Sequence, residues 1–415
     1  MSAERLRLLL LTLFPPSPAT FGAQRRIQGL MRALGRRHHL TAVSLVPPSM
    51  DAVAAEQGMR ELGAEAIVVA SRPGSGLPKR VVQLRSLLSR HSFERRFYTL
   101  PELQRVVDAL LRRHRHDIVH VEFPFLSHYG LRQAPPGEPL PRLVLDEHNV
   151  EFDLVRQMTG AGRGLVRHLY NSVDWRKVRR EEVAAWRSFD GVMFTSSPDE
   201  GRARALVPAV RSRVIPNAVD VDFFRPRPGD PPSDGRTVLF FGTFDYFPNH
   251  DGVLHFLREA WPLLAARHPG ARLQIVGAGP PPEVRAFQGP RVEISGLVED
   301  VRPHLARAGA VVVPLRIGGG TRLKILESMA MAKAIVSTRL GAEGIEAVHE
   351  RDLLLADGPE ALAAALARVL DDRGLAARMG AEARGLVERR YSWEVAAEAL
   401  ERFYREILAR SGRPA

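Results

Sequence analysis

The sequence predicts an α/β protein with two doubly wound parallel sheets, each in a domain of its own. Short apolar runs alternate with amphipathic stretches along the chain, which is typical of parallel strands covered by helices on both faces. The alternation stops in a proline-rich segment near the middle and then starts again. The chain of 415 residues is too long for one compact core, which favours two domains of roughly 200 residues each.

Six apolar runs in the first half are interpreted as strands. They read LRLLLLTLF, LTAVSLV, EAIVVA, DIVHVEF, RLVLDEH and GVMFTSS. Helical patterns lie between them, among them 23–37, 102–114 and the strongly charged stretch 164–188. The first run resembles the core of a signal peptide, but Pro15 and Pro16 end it early, so we interpret it as a buried strand. No run approaches the roughly 20 apolar residues of a membrane span.

The second half repeats the pattern after a connection that contains five prolines between 216 and 232. Its predicted strands read TVLFFG, RLQIVG, RVEISG, GAVVVPL and AIVST. We therefore predict a first domain over 1–212, a linker over 213–235 and a second domain over 236–390. An amphipathic helix over 391–415 is expected to pack back toward the first domain.

Composition excludes some kinds of chemistry and leaves others open. The chain has no cysteine, which excludes disulfides, thiolate zinc sites and cysteine nucleophiles, and which fits a cytoplasmic location. The formal net charge is +12, and the clusters of basic residues favour the first half. This excess is explained equally well by a compositional bias toward arginine or by a surface that attracts phosphates, on nucleic acid or on a membrane.

Four loops of the second half follow predicted strands and contain glycine. In a doubly wound sheet such loops lie at the carboxyl ends of the strands, where ligands bind. Glycine lets backbone N–H groups approach an anion without an intervening side chain. Four loops on one face of one domain are a stronger signal than any one of them. Their positions are Gly242–Thr243, Gly277, Leu297–Val298 and Gly318–Gly319–Gly320.

The last of these loops continues into charged residues and an apolar helix. A helix that begins near Thr321 would offer N–H donors and the positive end of its dipole, and Arg322 and Lys324 add full charges. A diphosphate is the natural guest of such a site. Glu327, among apolar residues, is expected either to bind a vicinal diol such as ribose or to pair with Lys324. Diphosphate and ribose together describe a nucleotide.

The run GGGTRLKILESMAMAKAIVST resembles glycosyltransferase family 4, as do VIPNAVD, VLFFGTFDYFPNHDGVLHF, LQIVGAGP and ISGLVEDVRPHLARAGAVVVPL. The resemblance covers nearly the whole chain and is most specific over 212–345. It implies the GT-B fold, in which two Rossmann-like domains face each other across a cleft. It also implies a retaining enzyme that needs no metal ion and no cofactor besides its nucleotide diphosphate sugar.

The chain departs from the family pattern at two places. By the resemblance, Glu327 is the second of two paired glutamates and holds the donor ribose, while the first glutamate is replaced by Gly319. The backbone of the glycine loop would then contact the sugar or phosphate. The family also often places an arginine and a lysine after the glycine equivalent to Gly242, where this chain has Thr243 and no nearby basic residue before His250. We expect Arg322 and Lys324 to supply the missing charge. The base would lie against Gly277, Leu297 and Val298.

In the first half, the resemblance places Gly22 beneath the diphosphate, although a plain surface turn is an open alternative. His148, at the carboxyl end of a strand, matches a family histidine near the transferred sugar, and its ring or its carbonyl is expected to act there. Asn149, His120 and Glu122 are assigned to the acceptor side. Structural roles are the alternatives, and for His120, in mid-strand, a satisfied core position is the more common outcome.

The resemblance thus predicts transfer of a sugar, with retention, to a glycan or lipid-linked acceptor in polysaccharide or glycoconjugate synthesis. A basic first domain suggests peripheral contact with the anionic inner face of a membrane. We expect no nucleic-acid partner, because no basic strand face carries interleaved aromatic residues. Another GT-B enzyme, such as an epimerase, and a catalytically silent nucleotide-sugar-binding protein remain alternatives.

Overall fold

The computed structural model describes residues 4–19, 21–70, 79–161 and 165–409. The chain divides into two compact units, one formed by Met1–Pro216 with Ala396–Ala415 and the other by Asn217–Val395. Residues 215–236, all of them described, contain no helix or strand apart from a single bridge at Val219. The boundary at Pro216 thus falls within the proline-rich segment.

The first unit contains a parallel sheet, in the part of the chain that is described, with the order β3-β2-β1-β4-β5-β6-β7. The strands are β1 (Arg7–Thr12), β2 (His39–Val46), β3 (Ala64–Ala70), β4 (Ile118–Glu122), β5 (Arg142–Glu147), β6 (Gly191–Phe194) and β7 (Ser212–Val214). The helices are α1 (Gly22–Arg37), α2 (Ala52–Glu61), α3 (Lys79–Leu87), α4 (Phe93–Phe97), α5 (Pro101–Arg113), α6 (Glu151–Ala161), α7 (Leu165–Ser188) and α8 (Ser197–Leu206). Residues 162–164, which include the predicted start of the long charged helix, lie outside the described residues.

The second unit contains a parallel sheet with the order β10-β9-β8-β11-β12-β13 among its strands. These are β8 (Thr237–Phe241), β9 (Arg272–Val276), β10 (Val292–Gly296), β11 (Ala310–Val313), β12 (Ile335–Ser337) and β13 (Leu354–Leu355). The helices are α9 (Phe247–His255), α10 (Trp261–Arg267), α11 (Pro282–Arg285), α12 (Arg302–Arg307), α13 (Leu323–Ala330), α14 (Pro359–Asp371) and α15 (Arg373–Arg390), followed by α16 (Trp393–Leu408).

Both sheets have the burial pattern expected of strands covered on two faces. All five residues of β8 are buried, with Val238 and Phe240 in one apolar cluster and Leu239 and Phe241 in another. The pairs of strands in each unit are parallel throughout the described ladders. The prediction of two Rossmann-like α/β domains is therefore confirmed. Among the described residues, no helix combines the length and the apolar content needed to cross a membrane.

Each sheet has a point where the strand order reverses. In the first unit this point lies between β1 and β4, and in the second between β8 and β11. Loops that leave two such strands diverge to opposite faces and open a crevice at the carboxyl edge, which is where doubly wound folds bind ligands. The two loops predicted from the sequence to bind phosphate, after β8 and after β11, flank the second of these points.

Candidate active site

The loops that follow β8, β9 and β10 are joined to one another by backbone hydrogen bonds. Gly242 donates its N–H to the carbonyl of Val276 at 2.9 Å, and Gly277 donates to the carbonyl of Gly296 at 2.7 Å. Phe244 donates in the same way to Ala278 at 3.0 Å. The predicted binding loops thus form one continuous edge. Leu297 is 76% exposed on this edge, whereas the neighbouring Val298 packs partly against the core.

Arg322 folds back over the glycine loop instead of pointing into solvent. Its Nη1 donates to the carbonyl oxygens of Gly319 and Gly320. The residue is 7% exposed, and within the described residues its Nε and Nη2 atoms are buried without a hydrogen-bond partner. A buried guanidinium with unused donors is costly unless an anion pairs with it. The arrangement is therefore suited to an anionic ligand.

Lys324 is enclosed by residues from β8 and α9. Its Nζ donates to Oδ1 of Asn249 at 2.7 Å and lies 4.3 Å from the ring centroid of Phe240. Asn249 in turn donates through Nδ2 to the carbonyl of Thr243 at 2.8 Å. Burial and, to a smaller extent, the charge of Arg322 lower the pKa of Lys324 to about 7, while the charge of Glu327 opposes the shift. The ammonium therefore has a partner in Asn249 and does not depend on Glu327 for one.

Two glycines make room for these cations. A Cβ atom on Gly318 would lie 2.7 Å from Nη2 of Arg322, and a Cβ atom on Gly242 would lie 2.7 Å from Nζ of Lys324. Both glycines also have positive φ values, 136° and 148°, that other residues rarely adopt. Side chains at these positions would displace the two charges, so glycine here is part of the site.

Helix α13 begins at Leu323, two residues later than the start predicted near Thr321. Arg322 is its N-cap and has the extended conformation usual at that position, with φ −84° and ψ 107°. Thr321 is buried, and its carbonyl accepts a hydrogen bond from Nδ2 of Asn217 at 2.7 Å. Glu327 lies one turn into the helix and is 3% exposed.

The carboxyl ends of β4 and β5 bring together the polar residues predicted in the first unit. His148 Nε2 lies 2.6 Å from Oε2 of Glu122, and His120 Nε2 lies 3.3 Å from Oε1 of the same carboxylate. Burial by itself would raise the pKa of Glu122, but hydrogen bonds and charge from His120 and His148 hold it below the usual range. The carbonyl of His148 accepts a hydrogen bond from Thr195 at 3.0 Å. Both the ring and the carbonyl of His148 therefore have partners within the first unit.

His120, Glu122 and Asp146 lie close enough together to be considered as a metal site. One possible ligand atom from each lies within 4.8 Å of the other two. Both oxygens of Asp146, however, accept hydrogen bonds from the guanidinium of Arg26, at 2.9 and 3.0 Å. His120 is engaged through Nδ1 with the hydroxyl of Tyr404 at 2.5 Å. The guanidinium of Arg26 therefore already occupies the Asp146 carboxylate, and the hydroxyl of Tyr404 already contacts His120. These three side chains do not suit a metal ion in addition.

Comparison with known proteins agrees with this fold. The family model for Glycosyltransferase Family 4 matches residues 22–223, and the model for Glycosyl transferases group 1 matches residues 235–372. The chain belongs to the GT-B glycosyltransferases. It is 33% identical over 202 residues to phosphatidyl-myo-inositol mannosyltransferase of Mycolicibacterium smegmatis, a match that covers 46% of this chain and 51% of that protein. The chain thus matches about half the length of this relative.

Solved structures resemble the glycosyltransferase over almost its whole length. Sucrose-phosphate synthase from Thermosynechococcus elongatus is 18% identical with a TM-score of 0.72, and the match covers 97% of this chain and 99% of that one. HepE from Anabaena, solved in complex with UDP-glucose, is 14% identical with a TM-score of 0.67 and covers 96% and 100%. At these identities the likeness concerns the fold.

In this glycosyltransferase the structure groups the predicted site residues into two sets. Residues of the loops after β8, β9, β10 and β11, with Arg322, Lys324 and Glu327, lie in the second unit. Gly22, the first residue of α1, belongs to the first unit with His120, Glu122, His148 and Asn149. Asn149 is half-buried, and its Nδ2 lies 3.5 Å from Glu151. Their roles toward donor and acceptor stay predictions.

Sequence reasoning missed several residues that complete these sets. Asn249 was not identified, although it is the partner of Lys324, and no feature of the sequence distinguishes it from its polar neighbours. The pairing of Arg26 with Asp146 and of His120 with Tyr404 joins segments that are far apart in the chain. Phe123 was also missed, and its ring stacks on His148. These contacts depend on tertiary structure, which a pattern in one sequence does not reveal.

Proposed function

We propose that this glycosyltransferase moves a sugar from a nucleotide diphosphate sugar to a glycan or lipid-linked acceptor, with retention and without a metal ion. The observation that carries the proposal is the buried guanidinium of Arg322, whose Nε and Nη2 have no partner among the described residues. It lies on a glycine loop at the carboxyl end of β11, beside the enclosed ammonium of Lys324. Two cations at the switch point of a doubly wound sheet suit a diphosphate.

The proposed chemistry needs no nucleophile from the protein. The bond between the anomeric carbon and the diphosphate oxygen breaks as the acceptor oxygen forms a bond on the same face of the sugar. The proton of the acceptor hydroxyl passes to the departing phosphate oxygen. Arg322 and Lys324 stabilise the negative charge that grows on the diphosphate, which lowers the barrier because this charge is greatest in the transition state.

Glu327 and His148 have different parts in this proposal. Glu327 accepts hydrogen bonds from the ribose and so contributes to donor affinity, whereas His148 contacts the transferred sugar. The reading of GGGTRLKILE as a variant without the first family glutamate is part of the proposal, with Gly319 in that position. The proposal also includes a role in surface polysaccharide or glycoconjugate synthesis. It is supported by the phosphatidyl-myo-inositol in the name of the mannosyltransferase relative.

The acceptor side of the proposal includes contact with an anionic membrane on the cytoplasmic face. Helices α3 and α7 pack together, with Ser86 Oγ 3.0 Å from the hydroxyl of Tyr170. Leu84, Leu88 and Leu169 are 66%, 95% and 57% exposed there. The same segments carry exposed arginines, at 80, 85, 90, 176, 179 and 180. We refer to these residues of α3, α7 and Leu88 to Arg90 as the α3–α7 surface. Exposed leucines and arginines on the same pair of helices suit an anionic lipid surface.

The test begins with a thermal-shift panel of UDP, GDP, ADP, UDP-glucose and GDP-mannose. We expect the nucleotides that carry one particular base to raise the melting temperature of the protein. The variant Glu327→Ala should show no such shift. The variant His148→Ala should keep the shift but lose sugar transfer. Arg322→Met should weaken binding of the selected nucleotide sugar about 10- to 100-fold, because a charge-assisted hydrogen-bond pair is lost. A panel without any shift would contradict the proposal.

Arg316→Met is the matched control for Arg322→Met. Arg316 follows the same strand, but it is exposed and already paired with Asp251 at 3.0 Å. Its removal should leave donor affinity within about twofold, since exposed ion pairs contribute little. Equal losses in the two variants would mean that general charge, and not the glycine-loop site, governs binding. Binding without transfer to any acceptor, and without slow donor hydrolysis, would favour the silent binding protein.

A further inference from the structure

The backbone of Phe123, directly after β4, adopts a conformation that bulky residues avoid. Its φ is 72° and its ψ is 142°, a combination populated almost only by glycine. The residue is 7% exposed, and its N–H donates to the carbonyl of Asp146 at 3.1 Å, which fixes the strained peptide. Glycine would adopt these angles without strain. The aromatic ring at this position therefore calls for an explanation.

The ring of Phe123 stacks on the imidazole of His148. The two centroids are 4.0 Å apart and the planes differ by 24°. Phe14 contacts the ring of Phe123 edge-on at 5.6 Å, and Phe125 lies parallel to it at 6.3 Å. Stacking of this kind fixes the plane of the imidazole, because rotation of the ring would lose the contact.

Glu122 fixes the direction in which the same imidazole points. Its carboxylate is ionised and can only accept hydrogen bonds, since the contacts with His120 and His148 hold its pKa below the usual range despite its burial. Nε2 of His148, 2.6 Å away, must therefore carry the hydrogen and donate it. Glu122 thus selects the tautomer of the His148 ring.

The carboxylate of Glu122 is itself held by a buried cluster. His120 Nε2 approaches it to 3.3 Å, and the other nitrogen of His120 contacts the hydroxyl of Tyr404 at 2.5 Å. Burial raises the pKa of Tyr404 well above the usual range, so its hydroxyl stays protonated. The neighbouring charge of Asp146 is neutralised by Arg26. Within the described ranges of the chain, the contacts of the Glu122 carboxylate are thus with the two histidines.

We propose that Glu122 and Phe123 are positioning residues for His148. Glu122 selects the ring nitrogen that carries the hydrogen, and Phe123 sets the plane of the ring, so that the imidazole keeps one tautomer and one orientation at the carboxyl end of β5. This inference rests on the proposed function, in which His148 contacts the transferred sugar, and it adds two residues that do not touch the sugar themselves.

Two substitutions of Phe123 separate positioning from structural support. Phe123→Ala removes the ring and keeps the backbone strain, whereas Phe123→Gly removes both. We expect the glycine variant to melt at a higher temperature than the alanine variant. Both should lose kcat about 10- to 100-fold with the donor KM nearly unchanged, because misplacement of a group at the reacting centre affects the chemical step. Activity that follows the melting temperature, with Phe123→Gly close to the wild type, would overturn the proposal.

Phe152→Ala is the control for loss of a buried ring in the same unit. Phe152 is 8% exposed and contacts Trp186, so its removal should lower the melting temperature and leave kcat within about twofold. For Glu122, the Gln variant retains a hydrogen-bonding group of the same shape and the Ala variant does not. We expect kcat to fall in the order wild type, Glu122→Gln, Glu122→Ala, and equal activity in all three would contradict the proposal.

A direct readout keeps this inference distinct from the proposed function. In ¹H–¹⁵N spectra of histidine-labelled full-length protein, the His148 ring, assigned by its loss in His148→Asn, should show protonated Nε2. Glu122→Ala should give a mixture of the two tautomers. If the wild type transfers no sugar but the tautomer responds to Glu122, the proposed function fails and the positioning stands. An unchanged tautomer in Glu122→Ala would overturn the positioning.

Discussion

At the scale of single residues, burial of the charges of Arg322 and Lys324 costs free energy, and an anionic ligand can offset that cost. Lys324 lies against the ring of Phe240 with one amide oxygen as its hydrogen-bond partner, and burial lowers its pKa to about 7. An anion beside it would favour the charged form and raise that pKa again. Donor binding should therefore be accompanied by proton uptake above neutral pH.

The first prediction is that affinity for a nucleotide sugar falls as the pH rises above about 7. Below that pH Lys324 is already protonated, and above it the free protein must take up a proton on binding, which weakens affinity by up to about tenfold per pH unit. Calorimetric titration of UDP-glucose and GDP-mannose between pH 6.5 and 9 measures this, and buffers of different ionisation enthalpy measure the proton. Lys324→Met should give weak, pH-independent binding. A flat profile in the wild type would contradict the prediction.

Arg322, Lys324, Glu327 and the glycines around them were predicted from the sequence because they follow one another along a strand, a loop and a helix. The directions in which their side chains point were not predicted from the sequence. Arg322 turns back onto Gly319 and Gly320, and Lys324 reaches Asn249, which is 75 residues away in the chain. Those contacts depend on how β8 and β11 lie side by side, which local pattern does not encode.

At the scale of elements, α6 and α7 are joined by buried carboxylates. Glu182 of α7 accepts hydrogen bonds from the N–H groups of Glu151 and Phe152 in the first turn of α6, at 2.8 and 3.0 Å. Glu147, at the end of β5, accepts one from the indole of Trp186 at 2.7 Å, and its other oxygen has no partner among the described residues. Burial, together with the charge of Glu182, raises the pKa of Glu147 well above the usual range.

We predict that Glu147→Gln becomes progressively more stable than the wild type as the pH rises above the ordinary glutamate pKa of about 4.3. The folded wild type keeps a proton on Glu147 that the unfolded chain releases, so the wild type loses stability as pH rises, by up to about 1.4 kcal/mol per pH unit. The Gln variant has no such proton. Urea unfolding followed by tryptophan fluorescence at several pH values measures the difference. Glu138→Gln, at an exposed site, is the control, and parallel pH profiles for Glu147→Gln and wild type would contradict the prediction.

The strands were the most predictable elements, because runs such as TVLFFG are apolar on both faces and only a covered parallel strand suits them. Helix starts were less predictable. The start of α13 was placed near Thr321, whereas the helix begins at Leu323 with Arg322 as its extended N-cap. A difference of two residues is usual for helix ends, because local propensity leaves such boundaries undetermined.

At the scale of the whole molecule, the two doubly wound units follow from length, the repeated alternation and the proline-rich connection. The structure divides at Pro216 and assigns residues from Ala396 onward to the first unit. The net charge of +12 was less informative, because arginine is used throughout the chain. Its meaning depends on which segments carry both exposed arginines and exposed leucines, as the α3–α7 surface does.

For this surface we predict salt-sensitive binding to anionic vesicles. Vesicles of phosphatidylglycerol and phosphatidylcholine should sediment the protein at low salt, and binding should decline as salt screens the arginines. The double change Leu84→Ser with Leu88→Ser should weaken binding about tenfold or more at every salt concentration, because it removes apolar area that the membrane would bury. Leu140→Ser, at another exposed leucine of the first unit, should have little effect. Indifference to lipid charge would count against the membrane contact.

The central claim, that Arg322 and Lys324 hold the diphosphate of the donor, is tested most directly by a crystal structure of the protein soaked with UDP or GDP. The account predicts phosphate oxygens within hydrogen-bond distance of Nε and Nη2 of Arg322 and of Nζ of Lys324. Glu327 should then contact the ribose. A diphosphate bound elsewhere, with the guanidinium of Arg322 still bonded only to Gly319 and Gly320, would contradict the account.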